Sequence, residues 1–399
     1  EPMNYRFEDR MRKTPRSFIR ETLKVTEHPD IISFAGGLPN PSVFPVQELA
    51  KTAEEVIRED GPAALQYATT EGFLPLRNWI AERYAHRYGI SVTPDEILIT
   101  HGSQQCLDLI GKIFIDKGTH IGIERPGYLG AIQAFSLYEP AFVPISLEMD
   151  GPALDDLQNF LQIKDCGFFY GVPNSQNPSG ITWSDEKRRA VADSLHDNKG
   201  IFIEDDAYGE IRFRGDIPRP VKTMVPDQVV MNGSFSKIIT PGMRMGWICA
   251  PKPIMDQLVT AKQGTDLHSS ILAQRIIYRY LSEYPIDAYI KRISDTYKSQ
   301  CDSMVRSIQE HFPESVSYTI PEGGMFLWVT LPENISSMEV FARALKEKVA
   351  VLPGIPFYTD GGGFNTLRLN FTNSSHEKIE DGIIRLSRVL NRLLEKSGR

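Results

Sequence analysis

The sequence predicts an α/β protein, with a mainly parallel central sheet in a large domain and a smaller α+β domain towards the C-terminus. Two patterns carry this prediction. Short apolar runs alternate with helix-period segments through the middle of the chain, and the pattern changes after one long helical stretch. The length of 399 residues also exceeds what one hydrophobic core usually serves.

Residues 1–47 are predicted to form an N-terminal arm and a loop on the substrate side. The arm is polar and contains one predicted short helix, SFIRETLK, before the loop IISFAGGLPNPSVFP. The large domain is predicted over residues 48–285. Its predicted strands are the turn-bounded apolar runs EILIT, HIGIE, GFFYG, IFIEDD, VVMNGS and GWICA.

The small domain is predicted over residues 286–399. It begins with most of the long helical stretch that ends in QEHF and closes with a helix after SSHEK. The predicted strands between them are VSYTI, MFLWVTL, VAVLPG and TLRLNF. The three glycines at 361–363 lack the strand-then-helix setting of a phosphate loop, so they are predicted to form a turn.

The charge and composition of the chain disfavour nucleic acids and membranes as binding partners. The net charge is -7 and the basic residues are dispersed, whereas nucleic-acid and anionic-membrane binding require clustered Lys and Arg. No apolar run reaches the ~18 residues of a membrane span, and no signal pattern is present, so a cytoplasmic protein is expected. The four cysteines are far apart, which favours buried thiols over a disulfide or a metal site.

The segment NGSFSKIITPGMR follows a predicted strand and surrounds Lys237 with small residues. A lysine amine attacks a carbonyl only when it is unprotonated, and burial beside other cations lowers its pKa towards that state. Ser234, Ser236 and Arg244 are suited to hold a phosphate group. Taken alone, a lysine in this setting is more often an ordinary surface residue.

Three further segments place polar residues after predicted strands, where ligands of open α/β sheets bind. FIEDDAYGEI offers Asp205 and Tyr208, and PNSQNPSG offers Asn177. In ITHGSQQCLDL, a helix begins near Ser103 and Gln104, and free backbone N–H groups at such a position bind phosphate. Each segment also has a structural explanation when it is considered alone: helix capping is favoured for FIEDDAYGEI and turn chemistry for PNSQNPSG, whereas an N-cap explains Ser103 equally well.

The set of motifs is more specific than any member. HGSQQ, PGY, PNSQNPSG, EDDAY, NGSFSK with Arg244, and RLNF have the order and spacing that resemble the fold type I pyridoxal-5′-phosphate (PLP) aminotransferases. The resemblance covers nearly the whole chain. SFIRE, AGGLPNPSVFP and LQYATTEGFLPLR resemble the branch that contains 2-aminoadipate and kynurenine aminotransferases, with relatives active on aromatic or branched-chain amino acids.

The resemblance implies PLP as cofactor and Lys237 as the Schiff-base lysine that also moves the substrate proton. It implies that Asp205 pairs with the ring nitrogen, that Asn177 and Tyr208 bind the ring hydroxyl, and that Tyr128 stacks on the ring. The implied phosphate ligands are Ser103, Gln104, Ser234, Ser236 and Arg244. Tyr67 is implied to reach the phosphate of a neighbouring subunit, which makes the expected protein a homodimer with shared active sites.

The resemblance also implies the substrate contacts. Arg368 corresponds to the arginine that binds the substrate α-carboxylate, Asn177 lies beside it, and Gly37 and Arg20 border the side chain of the substrate. Arg20 is suited either to pair with the distal carboxylate of 2-aminoadipate or glutamate or to swing aside for an apolar side chain, and 2-oxoglutarate is the expected amino acceptor. An arginine that pairs across the small sheet and one on a helix surface are the structural alternatives for Arg368 and Arg20.

Two departures from the family pattern are Ala207, where many relatives have proline, and Ser175, where an aromatic residue is common. Two functional alternatives remain. One is another fold type I PLP enzyme, a lyase or a decarboxylase, and the other is a non-catalytic aminotransferase-like regulatory domain. A Rossmann dehydrogenase is disfavoured, because no GxGxxG follows a strand and opens a helix.

Overall fold

A computed structural model describes residues 2–14, 22, 24 and 28–397 of the chain. The strands in these residues are β1 Ile32–Ser33, β2 Ile97–Thr100, β3 His120–Arg125, β4 Ala141–Glu148, β5 Gly151–Pro152, β6 Phe169–Gly171, β7 Phe202–Asp205, β8 Val229–Ser234, β9 Gly246–Cys249, β10 Ser317–Tyr318, β11 Phe326–Thr330, β12 Val349–Ala350, β13 Leu352–Pro353 and β14 Thr366–Asn370.

The helices in the described residues alternate with the strands of the large sheet and then enclose the small one. They are α1 Asp9–Lys13, α2 Val46–Ala64, α3 Leu74–Tyr88, α4 Ser103–Phe114, α5 Leu129–Ser136, α6 Leu154–Leu161, α7 Asp185–Asn198, α8 Lys252–Thr265, α9 Ile271–Glu283, α10 Ile286–His311, α11 Ser337–Lys346 and α12 His376–Ser397.

The large sheet has the strand order β2-β9-β8-β7-β6-β3-β4-β5. The pairs β8–β7, β7–β6, β6–β3 and β3–β4 are parallel, whereas β9 and β5 run antiparallel to their neighbours. The carboxyl ends of β3, β6, β7 and β8 therefore meet at one edge. The predicted fold class, with its mainly parallel sheet, is confirmed.

Both faces of this sheet are buried under helices, which explains its continuous apolar strands. Phe202 and Val229 pack with α6 and α7 on one face. The next residues in the two strands, Ile203 and Val230, pack with α4, α5 and α8 on the other. This alternation follows from the two-residue period of a strand.

The small sheet has the antiparallel order β10-β11-β14-β13 and shares a hydrophobic core with α10, α11 and α12. The N-terminal segment joins this part of the molecule, because β1 pairs in parallel with β12 through Ile32 and Val349. The backbone N–H of Asn370 in β14 also donates to the carbonyl of Phe34 at 2.8 Å. The loop after β1 is thereby held against β14.

The six strands predicted for the large domain correspond to β2, β3, β6, β7, β8 and β9, and the long helix corresponds to α10. Strand β4 was missed. It contains Pro144, and most of its residues are only half-buried, so it lacks the continuous apolar run of its neighbours. Helix α1 was not predicted, and SFIRETLK lies outside the described residues apart from Thr22 and Lys24.

Three predicted buried thiols, Cys106, Cys249 and Cys301, are buried, whereas Cys166 is half-buried. None of the helices in the described residues combines the length and the apolar character needed to cross a membrane. The division of the chain into residues 1–47, 48–285 and 286–399 stays a prediction.

Candidate active site

One cavity lies at the sheet edge where the parallel strands end. Ten residues predicted from the sequence line it, together with Val172, Ala207 and Pro241. The ten are Ser103, Gln104, Tyr128, Asn177, Asp205, Tyr208, Ser234, Ser236, Lys237 and Arg244. Residues from five separate segments are thus brought together, because successive parallel strands deliver their following loops to the same edge.

Lys237 lies in the turn that follows β8. Its Nζ atom is 5.6 Å from the centre of the Tyr208 ring. Burial, with smaller contributions from Arg368 and Arg244, lowers the pKa of Lys237 to about 8. A substantial fraction of this amine is therefore neutral near pH 8, the state that a nucleophilic lysine requires.

Asp205 is the last residue of β7 and is almost fully buried. Its Oδ2 accepts a hydrogen bond of 2.5 Å from the hydroxyl of Tyr170, which lies on β6. Its Oδ1 has no hydrogen-bond partner among the described residues. Burial raises the pKa of Asp205 to about 6, and the Tyr170 hydroxyl opposes that rise. One buried carboxylate oxygen is therefore free to accept a bond from a ligand.

The opposite end of the cavity is suited to an anion. Gly102, at φ 82°, precedes the first turn of α4, so the backbone N–H groups of Ser103 and Gln104 belong to an open helix N-terminus. The guanidinium of Arg244 lies against Gly102, where a Cβ would be 2.9 Å from its Cζ. Nη1 of Arg244 is also 3.5 Å from the hydroxyl of Ser236.

Arg368 of β14 is 2% exposed, and its hydrogen-bond partners among the described residues include no carboxylate. Its Nη1 donates to Oδ1 of Asn177 at 2.9 Å, and its Nη2 donates to the carbonyl of Ala35 at 3.0 Å. Its guanidinium lies 4.1 Å from the ring centre of Phe326. Burial lowers the pKa of Arg368 to about 10. This cation is positioned for an anion that the protein itself does not supply.

Gly37 borders the same guanidinium, because a Cβ added there would lie 3.6 Å from Nη2 of Arg368. Tyr67 is not brought to the cavity of its own chain. It is 79% exposed and contacts the ring of His268 edge-on. Arg20 lies outside the described residues. The side chain of Gln104 is exposed and donates to the carbonyl of Gly130 at 2.8 Å.

The sequence analysis did not predict four residues of the site: Val172 and Pro241 line the cavity, and Tyr170 and Glu124 hydrogen-bond to residues that line it. The available signal was polarity inside an apolar run, since a tyrosine or a glutamate in a two-sided strand needs a buried partner. Tyr170 finds Asp205, and Glu124 accepts from the backbone N–H of Val172 at 2.7 Å. The identity of each partner depended on strand order, which the sequence did not specify.

Comparisons with known proteins agree with this geometry. The model of the family "Aminotransferase class I and II" matches residues 30–386. The chain belongs to this family. It is 41% identical to the 2-aminoadipate transaminase of Thermus thermophilus over 95% of this chain and 94% of that one. It is also 41% identical to aromatic-amino-acid aminotransferase 1 of Thermococcus litoralis, over 95% and 93% of the two chains.

A solved structure gives the same result. The kynurenine aminotransferase of Pyrococcus horikoshii, in complex with PMP, superposes with a TM-score of 0.93 at 39% identity, covering 97% of each chain. The present chain is thus a fold type I aminotransferase, and pyridoxal phosphate is its cofactor. The free Oδ1 of Asp205 and the Gly102–Arg244 anion site both fit this cofactor, which has a ring nitrogen and a phosphate at opposite ends.

The anion site yields a prediction on cofactor affinity. Gly102→Ala is expected to raise the Kd for pyridoxal phosphate at least about tenfold, because the new methyl group displaces the Arg244 guanidinium from a charge-assisted contact. Gly118→Ala is the matched control, since Gly118 has a similar φ of 87° but nothing within 4 Å of its Cβ position. Titration of the cofactor-free proteins measures both. Equal Kd values in the two variants would exclude the steric cause.

The buried carboxylate yields a prediction on stability. The pKa of Asp205 is higher in the folded protein, about 6, than its ordinary value of 3.8. Below pH 3.8 Asp205 is protonated in both the folded and the unfolded protein, so its ionisation does not affect stability. As the pH rises to about 6, the unfolded protein loses this proton first, and the folded protein becomes less stable relative to it. Asp205→Asn is expected to stabilise the cofactor-free protein at pH 8 by on the order of 2 kcal/mol, and by less at pH 5.

Denaturant unfolding at both pH values measures this effect. Asp206→Asn is the control, because both oxygens of the half-buried Asp206 accept hydrogen bonds, from Asn174 and Tyr88. Loss of one acceptor there is expected to destabilise the protein. An Asp205→Asn protein that is less stable than wild type at pH 8 would contradict the proposed unfavourable burial.

Proposed function

We propose that the protein transfers the amino group of a 2-aminoadipate-type, aromatic or branched-chain amino acid to a 2-oxo acid, with 2-oxoglutarate as acceptor, by a ping-pong reaction. The observation that carries this proposal is the position of Lys237. Its amine, with the pKa lowered to about 8, shares one cavity with the half-paired carboxylate of Asp205 and the anion site at Gly102.

In this proposal each side chain has one task toward the cofactor. Asp205 would hold the ring nitrogen through its free Oδ1, and Asn177 and Tyr208 would bind the ring hydroxyl. Tyr128 would stack on the ring. Ser103, Gln104, Ser234, Ser236 and Arg244 would hold the phosphate. When bound, pyridoxal phosphate supplies an electron-withdrawing ring that stabilises negative charge at the α-carbon of the substrate.

Lys237 would first hold the cofactor and then move the α-proton of the substrate on its Nζ atom. A lowered pKa suits both tasks, because a neutral amine accepts a proton and a pKa near the working pH allows the amine to return it. Arg368 would bind the α-carboxylate in a bidentate pair, which its planar guanidinium favours. Burial of Arg368 excludes water from that pair and strengthens it.

We further propose a homodimer with shared active sites in the cytoplasm. Tyr67 is 79% exposed, Leu65 two residues before it is 68% exposed, and Leu267, adjacent to its ring partner His268, is 45% exposed. Apolar side chains grouped in this way are typical of a surface that a second protein covers. This supports the expectation that Tyr67 reaches the phosphate of a second copy. The cytoplasmic location rests on the sequence alone.

The proposed reaction has a direct test. The purified protein is expected to absorb visible light, and borohydride is expected to fix the cofactor to Lys237 in a mapped peptide. An excess of 2-aminoadipate or phenylalanine should convert the spectrum to that of the amino form of the cofactor, and 2-oxoglutarate alone should then restore it. Attachment to another lysine, such as Lys222, would remove Lys237 from its role. A spectrum that 2-oxoglutarate does not restore would favour a lyase or a decarboxylase.

Substrate choice yields a second prediction. Arg20→Ala is expected to raise KM for 2-oxoglutarate and 2-aminoadipate and to leave leucine and phenylalanine unchanged, because only dicarboxylates lose a charge-assisted pair worth roughly 1.5–3 kcal/mol. Arg368→Ala is expected to damage all substrates alike. Steady-state kcat/KM over both substrate classes measures the difference. Equal losses of kcat/KM for both substrate classes in Arg20→Ala would show that Arg20 has a structural role.

A further inference from the structure

Glu124 lies at the end of the apolar run of strand β3. It is only 2% exposed, yet it pairs with no cation among the described residues. Its Oε1 accepts from the backbone N–H of Val172 at 2.7 Å and from Nε2 of Gln176 at 3.1 Å. Its Oε2 accepts from Nε1 of Trp183 at 2.9 Å. Each of these partners is a donor, so the carboxylate collects three hydrogen bonds from three points of the chain.

The three donors all belong to residues 172–183, the segment that carries Asn177. Gln176 is fully buried and lies directly before Asn177. Its side chain also donates to the carbonyl of Pro126 at 2.8 Å and accepts from the backbone N–H of Ser179 at 3.2 Å. The turn around Asn177 is therefore attached to Glu124 through one rigid amide.

Asn177 in turn fixes the substrate end of the cavity. Its Oδ1 accepts the 2.9 Å hydrogen bond from Arg368, the buried cation of the small sheet. A displacement of the turn would move the Asn177 amide and remove a partner from Arg368. Val172, bonded directly to Glu124, lines the cavity as well. Two contacts of the site thus depend on one buried carboxylate.

We propose that Glu124 is a positioning residue for the transamination, acting through Gln176 on Asn177. The proposal rests on the function proposed above. Burying a carboxylate without a cation costs free energy that a purely apolar contact would avoid. Glu124 retains that cost at a point where its two oxygens reach donors that precede and follow Asn177 in the chain. Its ligands are all donors, so an amide cannot replace it without one donor facing another.

Glu204 provides a matched control within the same sheet. It is also fully buried, and its two oxygens accept from the backbone N–H groups of Val221 and Lys222, both at 2.9 Å. Those residues do not line the cavity. Glu124→Gln and Glu204→Gln therefore create the same donor–donor conflict, but only Glu124 hydrogen-bonds directly to the segment that carries Asn177.

The experiment compares both variants as cofactor-loaded proteins. Glu124→Gln is expected to lower kcat/KM for amino acids at least about tenfold and to shift the pH midpoint of the visible absorbance, because Asn177 would bind the ring hydroxyl. Glu204→Gln is expected to lose as much thermal stability as Glu124→Gln but to keep its kcat/KM within about threefold of the wild-type value. In the Asn177→Ala background, Glu124→Gln is expected to have little further effect on kcat/KM.

Several results would overturn the proposal. These are a Glu124→Gln protein with the wild-type kcat/KM and absorbance midpoint, equal losses in the Glu204→Gln protein, or additive losses with Asn177→Ala. If Glu124→Gln does not fold, Gln176→Met provides the test. This variant removes the hydrogen bond between Gln176 and Glu124 and leaves the donors of Val172 and Trp183 in place. Wild-type kinetics in that variant would equally reject the proposal. Failure of the proposed function is distinct, since the wild-type protein itself would then show no reversible amino transfer.

Discussion

The constraint on which the site depends is the burial of polar groups that the protein only half satisfies. Oδ1 of Asp205 and Nε of Arg368 have no hydrogen-bond partner among the described residues, although both side chains are about 2% exposed. Each such group destabilises the folded chain, typically by about 1–3 kcal/mol. A ligand that donates a hydrogen bond to Asp205 and presents a carboxylate to Arg368 removes both penalties. Part of the binding free energy therefore comes from polar groups that are already desolvated.

These groups can remain half satisfied only because their surroundings are held firmly. The turn that carries Asn177 is fixed on one side by the carboxylate of Glu124 and on the other by the guanidinium of Arg188. Arg188 is fully buried and donates to the carbonyl of Pro173 at 3.0 Å and to the side chain of Asn174 at 2.6 Å. With its neighbours fixed, the turn holds Oδ1 of Asn177 at 2.9 Å from Nη1 of Arg368, and Nε of Arg368 stays without a partner among the described residues.

The sequence predicted the fold well where the signal was local. Strands such as IFIEDD are apolar runs that end in polar residues, so both the strand and the position of Asp205 could be inferred. Strand β4 could not, because Pro144 and its half-buried residues give no such run. The hydrogen-bond partners of Asp205 and Arg368 could not be predicted from the sequence either. Tyr170 and Asn177 are 35 and 191 residues away in the chain, and only strand order and the docking of the small sheet bring them close.

In our proposal the cations of the cavity do not discriminate between substrates. Among the described residues, the cations at the site are Lys237, Arg244 and Arg368, and each is committed in our proposal to the cofactor or to the α-carboxylate. The distal carboxylate of a dicarboxylic substrate therefore needs a further cation from outside this set, and the N-terminal arm carries Arg20. Equal identity to a 2-aminoadipate enzyme and an aromatic enzyme fits this division. In our proposal the cavity binds the groups that all amino acids share, and Arg20 of the N-terminal arm supplies the additional cation that only a dicarboxylic substrate needs.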